Sequence, residues 1–344
     1  MLATGAGAGL LVAGWAAASH LRALQPAQVP ASRPITIPSA GAAVPMQRGI
    51  DLDAYTYRGQ DVAAAAQADI AYMTSLHANA VMISIPFFVN GQHGSRVYAT
   101  TATPTPAQVA IMVRDAQGAG LRVSLRPLLD EKSIGTARRR WAPVDPAAWF
   151  QSYQRFLIPY AEMASSLHVP VFVVGTELTR FSRSSQWAGL DAGLRTRYQG
   201  TLACVDNWDA SQAPGNCGPG TQQLVDAYHP LLPPLTSTWD AYDHTLAPGT
   251  VEAEVGIAAA PDAFRQPYVT HWPTARLDVT VQAQWFSAAC QAAATEHLGG
   301  LYFWSLTLSA EPAGPTLADQ GNWAGSAGAR AISTCFATLE RSGA

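Results

Sequence analysis

From residue 49 the chain alternates short apolar runs with longer amphipathic ones. The short runs are Gly49–Leu52, Ala80–Ile85, Leu121–Leu125, Val171–Val174, Gly200–Val205, Leu224–Tyr228, Val251–Glu254 and Gly300–Trp304. Their length and apolar character predict strands buried on both faces. Between most of them the apolar residues recur with a period near 3.6. Thr105-Pro106 opens one helix, which stops at Gly118-Ala119-Gly120, with Pro in its first turn and Gly at its end. Asp145-Pro146 opens another, carrying Trp149, Phe150, Tyr153, Phe156, Leu157, Tyr160, Ala161 and Ala164. A third runs from about Val279 to Glu296. Eight strand–helix units predict an α/β protein, a single (β/α)8 TIM barrel. The competing architecture is a doubly wound open sheet. A GxGxxG turn after the first strand would favour it, and the sequence has none.

Composition narrows the functional classes. The chain has 344 residues, a formal charge of −3 and only 13% charged residues. A nucleic-acid binder would show a basic excess. Residues 1–22 are apolar and nearly uncharged, with Ala16-Ala17-Ala18 as a small-residue cleavage site. They read as a signal peptide or an N-terminal membrane anchor, although a positive leading segment is missing. Residues 23–47 are rich in Pro, Ala and Ser and read as a linker. The catalytic domain is expected over 48–344. Four cysteines fit export and allow three pairings. Cys204 and Cys217 bracket a short loop, and Cys290 and Cys335 lie in two Ala-rich helical patterns, so 204–217 and 290–335 are the favoured pairs.

The chemistry of a (β/α)8 barrel gathers at the C-terminal ends of its strands. There the sequence places Asp53 and Tyr55, then Arg126, then Glu177, then Asn207-Trp208-Asp209, then Tyr228-His229, then Glu254, then Trp304. Glu177 ends the fourth strand and Glu254 the seventh, which face each other across the mouth. The rest of the ring is aromatic or planar and polar. Aromatic faces stack on pyranose rings, and planar polar groups bind hydroxyls. A pair of carboxyls roughly 5 Å apart is what retaining glycoside hydrolysis needs.

These residues also carry a resemblance. Leu125-Arg126-Pro127, the stretch 149–161, ValValGlyThrGluLeu at 173–178, AsnTrpAsp at 207–209, AlaTyrHisProLeu at 227–231, GluValGlyIle at 254–257 and GlyGlyLeuTyrPheTrp at 299–304 resemble glycoside hydrolase family 113, of clan A, whose known members are β-1,4-mannanases. The resemblance spans about residues 48–310. It implies an acid/base at Glu177 and a nucleophile at Glu254. It also implies a β-linked polysaccharide or oligosaccharide substrate, most simply a β-1,4-mannan, and no cofactor. Arg126, Asn207, Trp208, Tyr228, His229, Trp304 and Tyr55 are the expected substrate-binding residues. Two positions depart from the pattern: Thr176 stands where clan A enzymes place Asn, and His229 where a second Tyr is expected. Neither nucleic acid nor an obligate second copy is expected. The expected product is a secreted or envelope-associated monomer, with a membrane tether through residues 1–22 if they are retained.

Competing readings remain for single residues. Glu177 is also readable as a structural carboxylate paired with Arg180 or Arg126. Glu252 competes with Glu254, because side chains alternate along a strand and both should point to one side. Arg126 is readable as the salt-bridge partner of Glu254. Arg138-Arg139-Arg140 reads first as a solvated face, and otherwise as a basic lip suited to an acidic glycan. Other chemistries lack their motifs: there is no GxSxG, no HExxH and no His-x-His after the first strand. The second functional class is a non-catalytic glycan-binding barrel of the cell envelope, which would lose one of the two carboxylates. The third is an exported scaffold of the cell envelope, which rests only on the apolar N-terminus; for a hydrolase, the alternative substrate is another β-linked envelope glycan.

Overall fold

The structure is a computed structural model and describes residues 45–209, 217, 218 and 220–343. The segment 1–22 and the linker up to residue 44 lie outside the described residues. Eight parallel strands follow one another: β1 (Gln47–Asp53), β2 (Ala80–Val89), β3 (Arg122–Leu129), β4 (Val171–Thr176), β5 (Thr201–Asn207), β6 (Gln222–Asp226), β7 (Val251–Val255) and β8 (Gly300–Thr307). Each pairs with its chain neighbours, and β1 pairs with both β2 and β8, so the sheet closes into a barrel. A two-residue strand, Val97–Tyr98, pairs antiparallel with the end of β2.

The helices longer than one turn are α1 (Val62–Ser75), α2 (Pro106–Gly118), α3 (Pro146–Ser166), α4 (Gln186–Arg195), α5 (Leu235–Asp243), α6 (Val279–Thr295) and α7 (Ala327–Ser342). The punctuation read in the sequence makes the caps. Thr105 and Gln108 form a capping box on α2, and the Asp145 carboxylate accepts from the Ala148 N–H at 3.0 Å on α3. Eight strand–helix units were expected. Among the described residues the β5–β6 connection carries no helix; its residue Cys217 is tied back to β5 by the Cys204–Cys217 disulfide.

The barrel interior has two kinds of layer. Below, Ala80, Met82, Val171, Val173, Ala203, Val205, Leu224, Val251, Ala253 and Tyr302 form an apolar plug. Gly49 leaves room for the Tyr302 ring, which a Cβ there would strike. Above, at the C-terminal ends, Asp51, Ser84, Arg126, Asp226 and Glu254 are buried and polar. A second core packs between barrel and helices. Part of it is an aromatic cluster of Trp141, Trp149, Phe181 and Trp187, whose rings meet at 5.1 to 6.1 Å. It holds the single turn Arg138–Arg140 against the single turn Thr179–Phe181, so the connections after β3 and β4 are braced on one apolar block.

Both favoured cysteine pairs are present, Cys204–Cys217 and Cys290–Cys335, the latter joining α6 to α7. They close loops of 13 and 45 residues. In the chain-entropy account, removing the longer link costs about 4 kcal/mol and the shorter about 3 kcal/mol. Urea unfolding of the two Cys-to-Ala double variants should rank them in that order. A larger loss for the short loop would show that native packing around Cys217, rather than loop entropy, is what that bond secures.

Candidate active site

Strand register decides where the two glutamates point. Along β4 the pairing with β5 runs Val173 to Ala203 and then Gly175 to Cys204, so β4 carries one extra residue just before Glu177. Along β7 the pairing with β6 runs Val225 to Glu252 and then Asp226 to Glu254, again with one extra residue. The β7–β8 pairing shows the same irregularity. A third lies in β8 between Phe303 and Leu306, around Trp304. Such bulges re-aim the next side chain. This corrects the expectation that Glu252 and Glu254 share a side. Glu252 points out to the helix layer, where its carboxyl meets Asp243 at the end of α5. Glu254 points into the mouth, 2.8 Å from the Arg126 guanidinium.

Arg126 is fully buried. Its Nη2 donates to Asp51 Oδ1 at 2.9 Å, its Nε and Nη2 donate to Ser84 Oγ at 3.0 and 2.9 Å, and its Nη1 faces Glu254 at 2.8 Å and Asp226 at 3.6 Å. Its reading as a substrate contact is therefore corrected. Every face of the guanidinium is engaged, so it braces Glu254, as the salt-bridge reading had it. Burial opposes the arginine's charge, but Asp51, Glu254 and Asp226 outweigh it. Burial pushes Asp51 and Asp226 well above the usual carboxylate range, and the neighbouring Glu254 charge adds to both shifts. Tyr228 completes the support: its hydroxyl donates to Glu254 Oε2 at 2.8 Å.

Glu177 sits in the left-handed region, with φ of 55°, and its N–H donates to Val205 O at 2.9 Å. That conformation costs on the order of 1–3 kcal/mol for a non-glycine residue. It turns the carboxylate off the line of β4, where Oε2 takes two donors from Arg138, Nε at 3.0 Å and Nη2 at 2.8 Å. The partner is thus neither Arg180 nor Arg126. Burial pushes the Glu177 carboxyl up, Arg138 pulls it down, and the Glu254 charge pushes it up again. Arg138 was read as part of a solvated run. Only a loop conformation folds it inward, and no sequence period signals that.

The remaining expected contacts divide. Trp208 is half-buried and stacks on Tyr268, 5.2 Å between centroids and 10° between planes, with the Arg139 guanidinium 5.5 Å from its ring. With His229, Leu231 and Tyr242 it lines a cavity of about 530 Å³. Trp304 is half-buried, lies 5.0 Å from the Arg126 guanidinium carbon and lines a smaller cavity of about 140 Å³ with Asp53, Tyr228, Asp319 and Asn322. Tyr55 donates to Asp130 Oδ2 at 2.7 Å, tying the β1 connection to the end of β3. Asn207 is fully enclosed; its Nδ2 donates to Thr179 Oγ1 at 3.2 Å, bracing the turn after Glu177, while its Oδ1 has no protein partner. Thr176, in the place of the expected Asn, is also enclosed. Sequence reading passed over Asp51, Ser84 and Asp226. The available signal was a polar residue at an interior position of an otherwise apolar strand.

The comparisons fit this geometry. The sequence model of Glycoside Hydrolase Family 113 matches residues 53–214, a stretch that includes Glu177 and ends before Glu254. A solved structure titled as a complex of a family 113 β-1,4-mannanase matches with a TM-score of 0.71 at 15% identity, covering 86% of this chain and 99% of that one. The chain is a glycoside hydrolase, similar to family 113 over residues 53–214. A family 113 β-mannanase from Alicyclobacillus acidocaldarius, solved in complex with ManMIm, matches this hydrolase with a TM-score of 0.70 at 20% identity, covering 86% and 98%. A family 5 mannosidase from Rhizomucor miehei matches at 0.52 and 11%, covering 87% and 94%. No curated protein matches the sequence.

The Glu252–Asp243 pair gives the hydrolase a measurable signature. Burial pushes Asp243 up to about 8, and burial and then Asp243 push Glu252 well above its usual value. Two buried carboxyls in contact share a proton in the folded state. The folded protein therefore holds more protons than the unfolded chain between the ordinary carboxylate range and about pH 8. Stability should fall as pH rises through that window. Glu252→Gln keeps a donor toward Asp243 without needing that proton. In thermal unfolding at pH 5 and pH 8 the variant should lose less stability between the two than the native protein. An unchanged pH slope would place the proton elsewhere.

Proposed function

We propose that this hydrolase is a retaining β-glycosidase that cleaves a β-linked polysaccharide, most simply a β-1,4-mannan. The observation that carries the reading is the unequal dressing of two glutamates at one barrel mouth. Glu254 is held by Arg126 and Tyr228, which suits an anionic nucleophile. Glu177 is enclosed and feels the Glu254 charge, which favours a proton on it. Glu254 attacks the anomeric carbon while Glu177 protonates the departing oxygen. Glu177 then takes a proton from water, whose oxygen displaces Glu254.

Mannan as substrate rests on the resemblance and on the named β-mannanases. A polymeric substrate has support of its own. Among the described residues, the strongly exposed large apolar side chains are Tyr57, Tyr98, Val144, Leu232, Tyr268 and Leu317, and all lie on connections that leave the C-terminal ends of strands. An aromatic rim on that face suits stacking along a glycan. Export is part of the proposal and rests on two disulfides together with residues 1–22. Among the described residues no helix is long and apolar enough to cross a membrane. We also take Trp208, Trp304 and His229 as glycan contacts and the working unit as a monomer.

Product analysis against β-linked polysaccharides and aryl glycosides tests the substrate. Glu254→Ala should abolish turnover, and azide should restore activity on an activated substrate with inverted configuration. Retention of more than a few per cent of the native rate would reject Glu254 as nucleophile. Glu177→Ala should lose most activity on poor leaving groups and much less in the first step on good ones, with the glycosyl-enzyme accumulating as a burst. Equal loss on both classes, with no burst, would place the acid elsewhere.

A further inference from the structure

We propose that Arg138 is a positioning residue for Glu177: it holds one carboxyl oxygen, Oε2, so that Oε1 is the oxygen that gives and takes the catalytic proton, and its charge suits Glu177 to act as base in the second step. This rests on the reading of Glu177 as acid/base.

The geometry is specific. Nε and Nη2 both converge on Oε2, while Nη1 donates to the Leu129 carbonyl at 3.2 Å, at the end of β3. The backbone N–H of Arg138 donates to Glu131 Oε1 at 2.7 Å. The next aromatic, Trp141, is buried in the cluster beneath the turn. The fork is therefore fixed at its base and at its tip. The two side chains are 13% and 11% exposed, so water screens the pair far less than it would a surface ion pair. An oxygen that accepts two N–H groups from a cation is the worse place for a proton. The other oxygen, Oε1, is left for the substrate.

The groups facing Glu177 come from three sides. Glu131 and Arg138 come from the β3 connection, Asp226 and Tyr228 from the end of β6, and Glu254 from β7. Arg138 supplies the one cation that acts directly on Glu177 among them. In the first step the Glu254 charge opposes it and the proton stays on Glu177. Once Glu254 is bonded to the sugar that charge is gone, and Arg138 then acts unopposed by it. The second step balances accordingly: water gives a proton to Oε1, its oxygen bonds to the anomeric carbon, and the bond from that carbon to Glu254 breaks. One fixed cation thus serves a residue whose task reverses between steps.

The test is Arg138→Gln beside Arg138→Lys, each checked for folding by thermal unfolding. In Arg138→Gln the alkaline limb of kcat/KM should move up by about one pH unit, because the carboxylate loses its stabilising charge. Activated aryl glycosides should show a new burst, since the base step slows more than the first. Arg138→Lys keeps the charge and loses the fork, so the limb should stay within about 0.3 of a unit of the native one. If Arg138→Gln fails to fold, Arg138→Lys and Arg138→Met carry the same comparison. An unmoved limb with equal losses on good and poor leaving groups would overturn the proposal and leave Arg138 a strut. Glu177→Ala separates the two levels. Where it behaves as an acid variant and Arg138→Gln leaves the limb in place, only the role of Arg138 fails. Where Glu177→Ala itself loses equally on both leaving-group classes, the acid assignment fails first.

Discussion

A guanidinium without water is the constraint around which the barrel mouth is built. Arg126 enters from an interior position of β3 and meets no solvent. An uncompensated charge there would cost several kcal/mol, so the sheet must deliver partners from other strands. It does so from β1 through Asp51, from β2 through Ser84, from β6 through Asp226 and from β7 through Glu254. These partners exceed what one cation can neutralise. Burial resolves the excess by pushing Asp51 and Asp226 up, while Glu254 keeps the shortest ion pair and a phenol donor. The same layer that closes the top of the barrel therefore gives Glu254 the closest contact with the cation.

Getting Glu254 and Glu177 to that layer takes more than strand alternation. In an unbroken β7, Glu252 and Glu254 would share a face, and one of them would be wasted or repelled. The extra residue between them sends Glu252 out to Asp243 and Glu254 in to Arg126. β4 and β8 carry the same device immediately before Glu177 and around Trp304. Three bulges, beside Glu177, Glu254 and Trp304, show the local ladder yielding to the packing of the mouth.

This explains how far the sequence could be read. The eight strands, the capped helices and both disulfides follow from period, cap residues and loop chemistry, all local signals. Glu177 and Glu254 stand out as carboxylates ending apolar strands. What alternation misjudged was Glu252, because a bulge has no period. Arg126 was legible as a residue, but its burial was not, since β3 runs on through it to Leu129 and makes it an interior position instead of a rim one. Asn207 was read as a sugar ligand because its run is polar; its amide nitrogen is spent on Thr179, while its Oδ1 has no protein partner. Arg138 was hidden for a different reason. Its partner depends on how two single turns pack on Trp141, Trp149 and Phe181, a tertiary fact written nowhere near it in the chain.

The two glutamates end up with cations of different kinds, and in the proposed mechanism the difference follows their tasks. Arg126 belongs to the barrel wall and cannot leave without opening the core. Arg138 belongs to a connection and is held by an aromatic block outside the barrel. The strand that carries Glu177 is stiffened on its outer side as well. Gly175 has no side chain because the Cys217 sulfur and the Trp187 ring lie 3.0 Å from where a Cβ would be. The disulfide thus fills the space behind the bulge that aims Glu177, in the one connection with no described helix to do so. A strained φ at Glu177 can persist only where the surroundings over-determine it. Here the Val205 carbonyl and the Arg138 fork act on Glu177 itself and the disulfide backs Gly175 two residues before it, and together they make that conformation the one the site can adopt.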